Sequence, residues 1–132
     1  MKEHGEFAIH FRDRTVYMRA RDSWNEETTR AYISRLLQEV TERFTSPGWA
    51  ILADIRDWGL YTIDSVRQVD EYVRRLDELG RTHAAFVAAS TLQEETVLEH
   101  MKPKTQTAEY RFFQTVEEAE QWLVSCGMLT PD

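Results

Sequence analysis

The chain lacks most of the signatures that make a functional site recognisable. It has a single cysteine, Cys126, in 132 residues. That excludes an intrachain disulfide and any CxxC metal or redox motif. It has only five glycines, and none falls in a GxGxxG, a glycine-rich phosphate loop or a GxSxG. Dinucleotide, P-loop and serine-hydrolase chemistry therefore lack their backbone signatures. Long apolar runs are missing too. "WAILA" and "HAAFVAA" are far shorter than the roughly 20 residues that span a bilayer, so no transmembrane segment is expected. The start "MKEHGEF" is charged, without an apolar signal core, and a cytoplasmic location is the expectation. Basic charge is in deficit, 16 residues against 23 acidic ones, for a net charge of −7. Neutralising phosphates needs a basic surface, so nucleic acid is not an expected partner. His4, His10, His83 and His100 are scattered, with no HxH, HxxxH or ExxH spacing. No metal and no cofactor are expected.

What is present describes one globular domain spanning residues 1–132. Hydrophobic residues make up 42% of the chain and aromatic ones 11%, enough for a real core at this length. "EFAIHF" and "TVYMRA" are short, nearly alternating stretches around the turn "RDR", which predicts a hairpin over residues 6–20. Phe7, Ile9, Phe11, Val16 and Met18 face one way; His10, Thr15, Tyr17 and Arg19 face the other. Both strands are therefore expected to be buried on one side and wet on the other.

From Asn25 the period changes. Ile33, Leu36, Leu37, Val40 and Phe44 mark one helix face. Asn25 or Ser23 is its expected cap, and Glu26 and Glu27 suit the positive end of its dipole. "SPG" stops it. "WAILADI" is apolar on both faces and predicts an interior strand. A second helix carries Val66, Val69, Val73 and Leu76 on one face and ends at Gly80. "HAAFVAAS" is a further buried strand, "TLQEETVLEHMK" a weaker helix and "YRFFQ" a last strand. In "TVEEAEQWLVSC", Thr115 and Glu118 form a capping box, and Gly127 supplies the stop. Trp49, Trp122 and Cys126 are expected in the core. The order ββαβαβαβα predicts an α/β domain: a mostly parallel five-stranded sheet with four helices.

Functional-looking side chains concentrate in "ILADIRDWGLYTIDSV". Asp54, Asp57 and His100 can be drawn as a metal or acid–base group, since two carboxylates near a strand end are what acid–base chemistry needs. The carboxylates equally suit an ordinary strand-to-helix connection, with Asp54 paired to Arg56 or holding local amides. Thr62 reads as a helix N-cap, Ile63 as the first helical residue, and Asp64 and Ser65 as first-turn residues. Trp24 follows the second strand, and Trp58 and Tyr61 the third. In an open parallel sheet such loops lie at the carboxyl edge, where ligands bind. The cluster can line a pocket, form a partner surface or close the core.

This order resembles the SpoIIAA-like group, which contains the STAS domains and shares its fold with CRAL-TRIO lipid-binding domains. The resemblance rests on the hairpin with "TVYMRA", the helix "NEETTRAYISRLLQEV", the strand "WAILADIRDW" and the ending "RFFQTVEEAEQWL". It implies a non-enzymatic bacterial regulatory or protein-interaction domain. It also implies phosphorylation of a serine at the start of the helix after the central strand. Here Ser65, with Thr62 nearby, takes that place, but Val66 stands where the group has a second hydroxyl, and no glycine follows. The shared fold with CRAL-TRIO domains implies the alternative, a carrier or sensor of an apolar small molecule or lipid. The half-wet hairpin offers an edge for a homodimer.

Overall fold

A computed structural model describes residues 6–61 and 66–132 and, at residues 60, 61, 66 and 67, the backbone alone. Its elements run β1 (Glu6–Arg12), β2 (Thr15–Trp24), α1 (Glu26–Arg43), β3 (Trp49–Tyr61), α2 (Val66–Glu78), β4 (Arg81–Val87), α3 (Thr91–His100), β5 (Glu109–Phe113) and α4 (Val116–Ser125). A short 3-10 turn spans Lys102–Lys104. The strands lie in the sheet in chain order, β1-β2-β3-β4-β5. β1 and β2 are antiparallel; every later pairing is parallel. The expected α/β architecture is what forms.

Chain-order parallel strands joined by right-handed crossovers place all the connecting helices on one face. The core divides accordingly. On that face Val16, Met18, Ile51, Ala53 and Phe86 meet Leu36 and Val40 of α1, Val69, Val73 and Leu76 of α2, and Val97 of α3. On the other face Tyr17, Ala50, Leu52, Ala85 and Val87 meet Ala119 and Leu123 of α4, with Leu129 beyond it and the half-buried Val116, Trp122 and Val124 around them. Each large apolar side chain so buried contributes about 1.5–3 kcal/mol.

The helix ends follow the local chemistry. The Asn25 side chain accepts from Thr28 N at the start of α1. The Thr115 hydroxyl accepts from Glu118 N at the start of α4. Gly80 ends α2 at φ +98°, and a Cβ there would sit 2.5 Å from Pro47 Cα. Both the left-handed conformation and the close approach require glycine. The expected N-cap Thr62, first helical residue Ile63, and Asp64 and Ser65 lie outside the described residues.

Three expectations need correction. β2 runs to Trp24 and β3 to Tyr61, so Trp24, Trp58 and Tyr61 belong to strands and not to loops after them. Thr15 and Tyr17 are buried, not wet. Thr15 Oγ1 donates to Met128 O at 2.9 Å, and the Tyr17 hydroxyl donates to Glu120 at 2.5 Å, so the C-terminal segment covers this part of the hairpin. Trp122 and Cys126 are half-buried at the rim of α4 rather than core.

Candidate functional site

The long β3 departs from a regular strand beyond Asp54. Its pairing with β2 runs Arg19 to Asp54, Arg21 to Asp57, Asp22 to Trp58 and Trp24 to Tyr61. Twice, two steps on β2 match three on β3. Each extra residue is a bulge that shifts the side-chain alternation by one. Ile55 and Trp58 therefore both face the helices, although an odd spacing in a regular strand would oppose them. Asp57 is turned outward.

The exposed side of this bulged end is a charged surface. Asp54 Oδ1 accepts from Arg56 Nε at 2.9 Å and from the Arg56 backbone N at 3.2 Å, and Oδ2 accepts from Arg56 Nη2 at 2.8 Å. Beside it Arg19 Nη2 donates to Asp57 Oδ2 at 2.9 Å, and both side chains are about half exposed. Behind the surface, Gln93 of α3 is buried. Its Nε2 donates to Arg56 O at 3.2 Å and Trp58 O at 3.0 Å, and its Oε1 accepts from Ala89 N at 2.7 Å. Gln93 thus supplies partners for carbonyls that the bulge takes out of the ladder.

Burial acts to raise the Asp54 pKa, but the Arg56 hydrogen bonds and charge prevail and lower it. A general acid or base needs a pKa near neutrality, and Asp54 moves the other way. The shift also makes a prediction. A carboxylate with a depressed folded pKa stabilises the fold above its unfolded value, near 3.8, and the stabilisation is lost as pH falls through the folded pKa. Asp54→Asn should cost about 1–2 kcal/mol at pH 7. In urea melts the gap between variant and wild type should close on acidification below about pH 4; a constant gap would show that Asp54 matters only for packing.

The inner side is apolar. Trp24 and Trp58 are 4% and 6% exposed, with ring centroids 5.9 Å apart in an edge-to-face contact. Trp24 Nε1 donates to Glu6 O and Arg21 O, each at 3.2 Å. The Tyr61 side chain lies outside the described residues. The structure thus separates the expected loop cluster: Asp54 and Asp57 go outward, Trp24 and Trp58 inward. His100, at the far end of α3, is not part of either. Among the described residues no three His, Cys, Asp or Glu side chains are placed to share a metal.

Sequence reasoning missed a buried polar group under the two tryptophans. The Tyr32 and Tyr72 hydroxyls are 2.6 Å apart. Arg81 is 2% exposed; its Nη2 donates to the Tyr110 hydroxyl at 2.8 Å and lies 3.6 Å from Asp77 Oδ1. A signal existed for Tyr32, which precedes Leu36 by one helical turn, and for Tyr72, beside Val73. None marks Arg81 as buried.

No protein-family model matches the chain, and no curated protein does. Solved structures do. An uncharacterised DUF3478-family protein with a SpoIIAA-like fold from Shewanella loihica is 17% identical, with a TM-score of 0.73 over 93% of this chain and 98% of its own. The unphosphorylated anti-sigma factor antagonist SpoIIAA is 12% identical, with a TM-score of 0.63 over 91% of this chain and 98% of its own. The phosphorylated form of the Bacillus cell fate determinant SpoIIAA is 14% identical, with a TM-score of 0.61 over 89% of this chain and 99% of its own. This chain has the SpoIIAA-like fold.

Proposed function

We propose that this chain is a non-enzymatic regulatory or protein-interaction domain of the SpoIIAA-like type, docking a protein partner at the bulged end of β3. The observation that carries the reading is the half-open sheet face. α4 covers β3 to β5 and Tyr17 of β2; beside the covered part stand the exposed pair Arg19–Asp57 and the half-exposed Arg56, held from below by the buried Asp54. Paired charges at a rim select partners and set approach rates more than they add affinity. SpoIIAA, similar in fold, is an anti-sigma factor antagonist, which supports a regulatory reading.

Ser65, or Thr62, is the proposed modification site, immediately ahead of α2. A phosphate there adds negative charge at the positive end of a helix dipole. The phosphorylated neighbour supports this reading. A homodimer paired through the edge strand β1 is a further proposal, which light scattering tests directly.

The docking test uses a photo-crosslinking residue at position 57 in cells that natively express the protein, with position 35 on α1 as control. One protein should be captured from position 57 and not from position 35. Arg19→Glu should then weaken the purified complex by about tenfold, mostly through the association rate. Identical adducts from both positions, or an unchanged association rate, would remove this surface from the function.

A further inference from the structure

Between the sheet and helices α1–α3 lies a cavity of about 50 Å³. We infer that it is a binding site for a small aliphatic carboxylate of about acetate to butyrate size. The inference is independent of partner docking, and its test needs no partner.

Size comes first. A buried water needs roughly 10–15 Å³ of such space, so the cavity of about 50 Å³ holds about three to five water-sized groups. Most of the wall is unsuited to water. Met18, Ala20, Ile51, Ala53, Val97 and the rings of Trp24 and Trp58 offer little for it to bond. A buried water needs two to four polar partners, and the apolar end offers waters none.

The polar end comes second, and it consists of donors. In the Tyr32–Tyr72 pair one hydroxyl donates to the other, which leaves the second hydrogen without an acceptor among the described residues. Burial raises the pKa of both phenols, so both remain protonated donors. Arg81 also lines the cavity, and its buried Nε has no hydrogen-bond partner. Nor is its charge closely matched. Asp77 lies 3.6 Å from Nη2, longer than the roughly 2.7–2.9 Å of a direct charge-assisted bond. Its two oxygens already accept from Thr105 Oγ1 and Gln106 N at 2.7 Å each. An apolar cavity with surplus N–H and O–H donors at one end fits a short alkyl chain carrying an acceptor-only head, and a carboxylate is that head.

The test is titration of the purified protein with acetate, propionate, butyrate and hexanoate, read by tryptophan emission and melting temperature. Trp24 and Trp58 line the cavity and should report occupancy. A saturable emission change with an optimum below hexanoate is expected, with a matching rise in melting temperature. Tyr72→Phe should weaken binding about tenfold or more. Ala53→Val, which puts two methyl groups into the space, should remain folded and lose binding; Ala20→Val is the second such variant should Ala53→Val fail to fold. Butyramide should bind more weakly than butyrate. A flat titration across the series, equal binding of butyramide, or full binding by a folded cavity-filled variant would each overturn the assignment. So would a high-resolution structure in butyrate showing only ordered water.

Discussion

Trp58→Ala should destabilise the protein by about 3–5 kcal/mol. Trp58 is the corner of an aromatic chain that crosses the domain. Its ring meets Trp24, Trp24 meets Tyr32 at 5.1 Å, and Tyr32 meets both Phe7 at 5.5 Å and Tyr72 at 5.6 Å. That chain ties β1, β2 and β3 to α1 and α2. Truncating Trp58 opens a void beside the cavity of about 50 Å³ that it already lines, and the two would merge. Gln93 and the bulged pairing with β2 hold the β3 backbone at this point, so it has little freedom to collapse into the void. Domains of this kind have about 5–15 kcal/mol in total; the variant should fold marginally or melt early. Urea melts of Trp58→Ala and Trp58→Phe separate the causes. The Phe variant keeps an aromatic body and should lose much less. An Ala variant within about 1 kcal/mol of wild type would mean that Trp58 is a docking side chain and not core.

The same residue shows why the sheet was legible and the site was not. The fold follows from local period changes that survive in three dimensions: the alternation in "EFAIHF", the helical spacing of Leu36 and Val40, and the apolar run "WAILA". Beyond Asp54 those rules fail for a physical reason. "DIRDWGLY" carries two carboxylates and a glycine, which ordinarily mark a loop. It is strand because two bulges re-aim its side chains and because Gly59 leaves room that a Cβ would take, 2.5 Å from Ser23 Oγ. Each compensation comes from β2, some 36 residues away, and no window of sequence contains it. Thr15 and Tyr17 depart from the hairpin's alternation for the same reason. Their cover is Met128 and Glu120, more than a hundred residues distant. The Thr115–Glu118 cap and the Gly80 stop were readable because cap chemistry is complete within a few residues. Arg81 was the least readable. A charged residue directly after a helix-ending glycine looks solvated, and the tyrosine that accepts from it stands 29 positions on.

Arg81→Met should cost about 3–5 kcal/mol, because it removes a buried guanidinium that bonds Tyr110 and is the nearest cation to the half-buried Asp77. The methionine matches the stem of the arginine and little else. Asp77 would lose its nearest cation at 3.6 Å and keep only Thr105 and Gln106. The Tyr110 hydroxyl would lose its donor. The ring of Tyr110 would also lose the guanidinium carbon 5.1 Å from its centroid. Arg81→Lys keeps the charge but has neither the planar fork nor the reach to serve Tyr110 and Asp77 together, so it should recover only part of the loss. The double variant Arg81→Met with Asp77→Asn distinguishes charge from packing. If the stranded carboxylate dominates, the double variant should be more stable than Arg81→Met alone, by about 1–3 kcal/mol. If the two changes simply add, the guanidinium contributes through its contacts with Tyr110 and the cavity wall, and the ion pair contributes little. Denaturant melts at low and high salt complete the comparison. At 2% exposure Arg81 is shielded from counterions, so the Arg81→Met penalty should be nearly salt-independent. A penalty that collapses in salt would place Arg81 in contact with solvent.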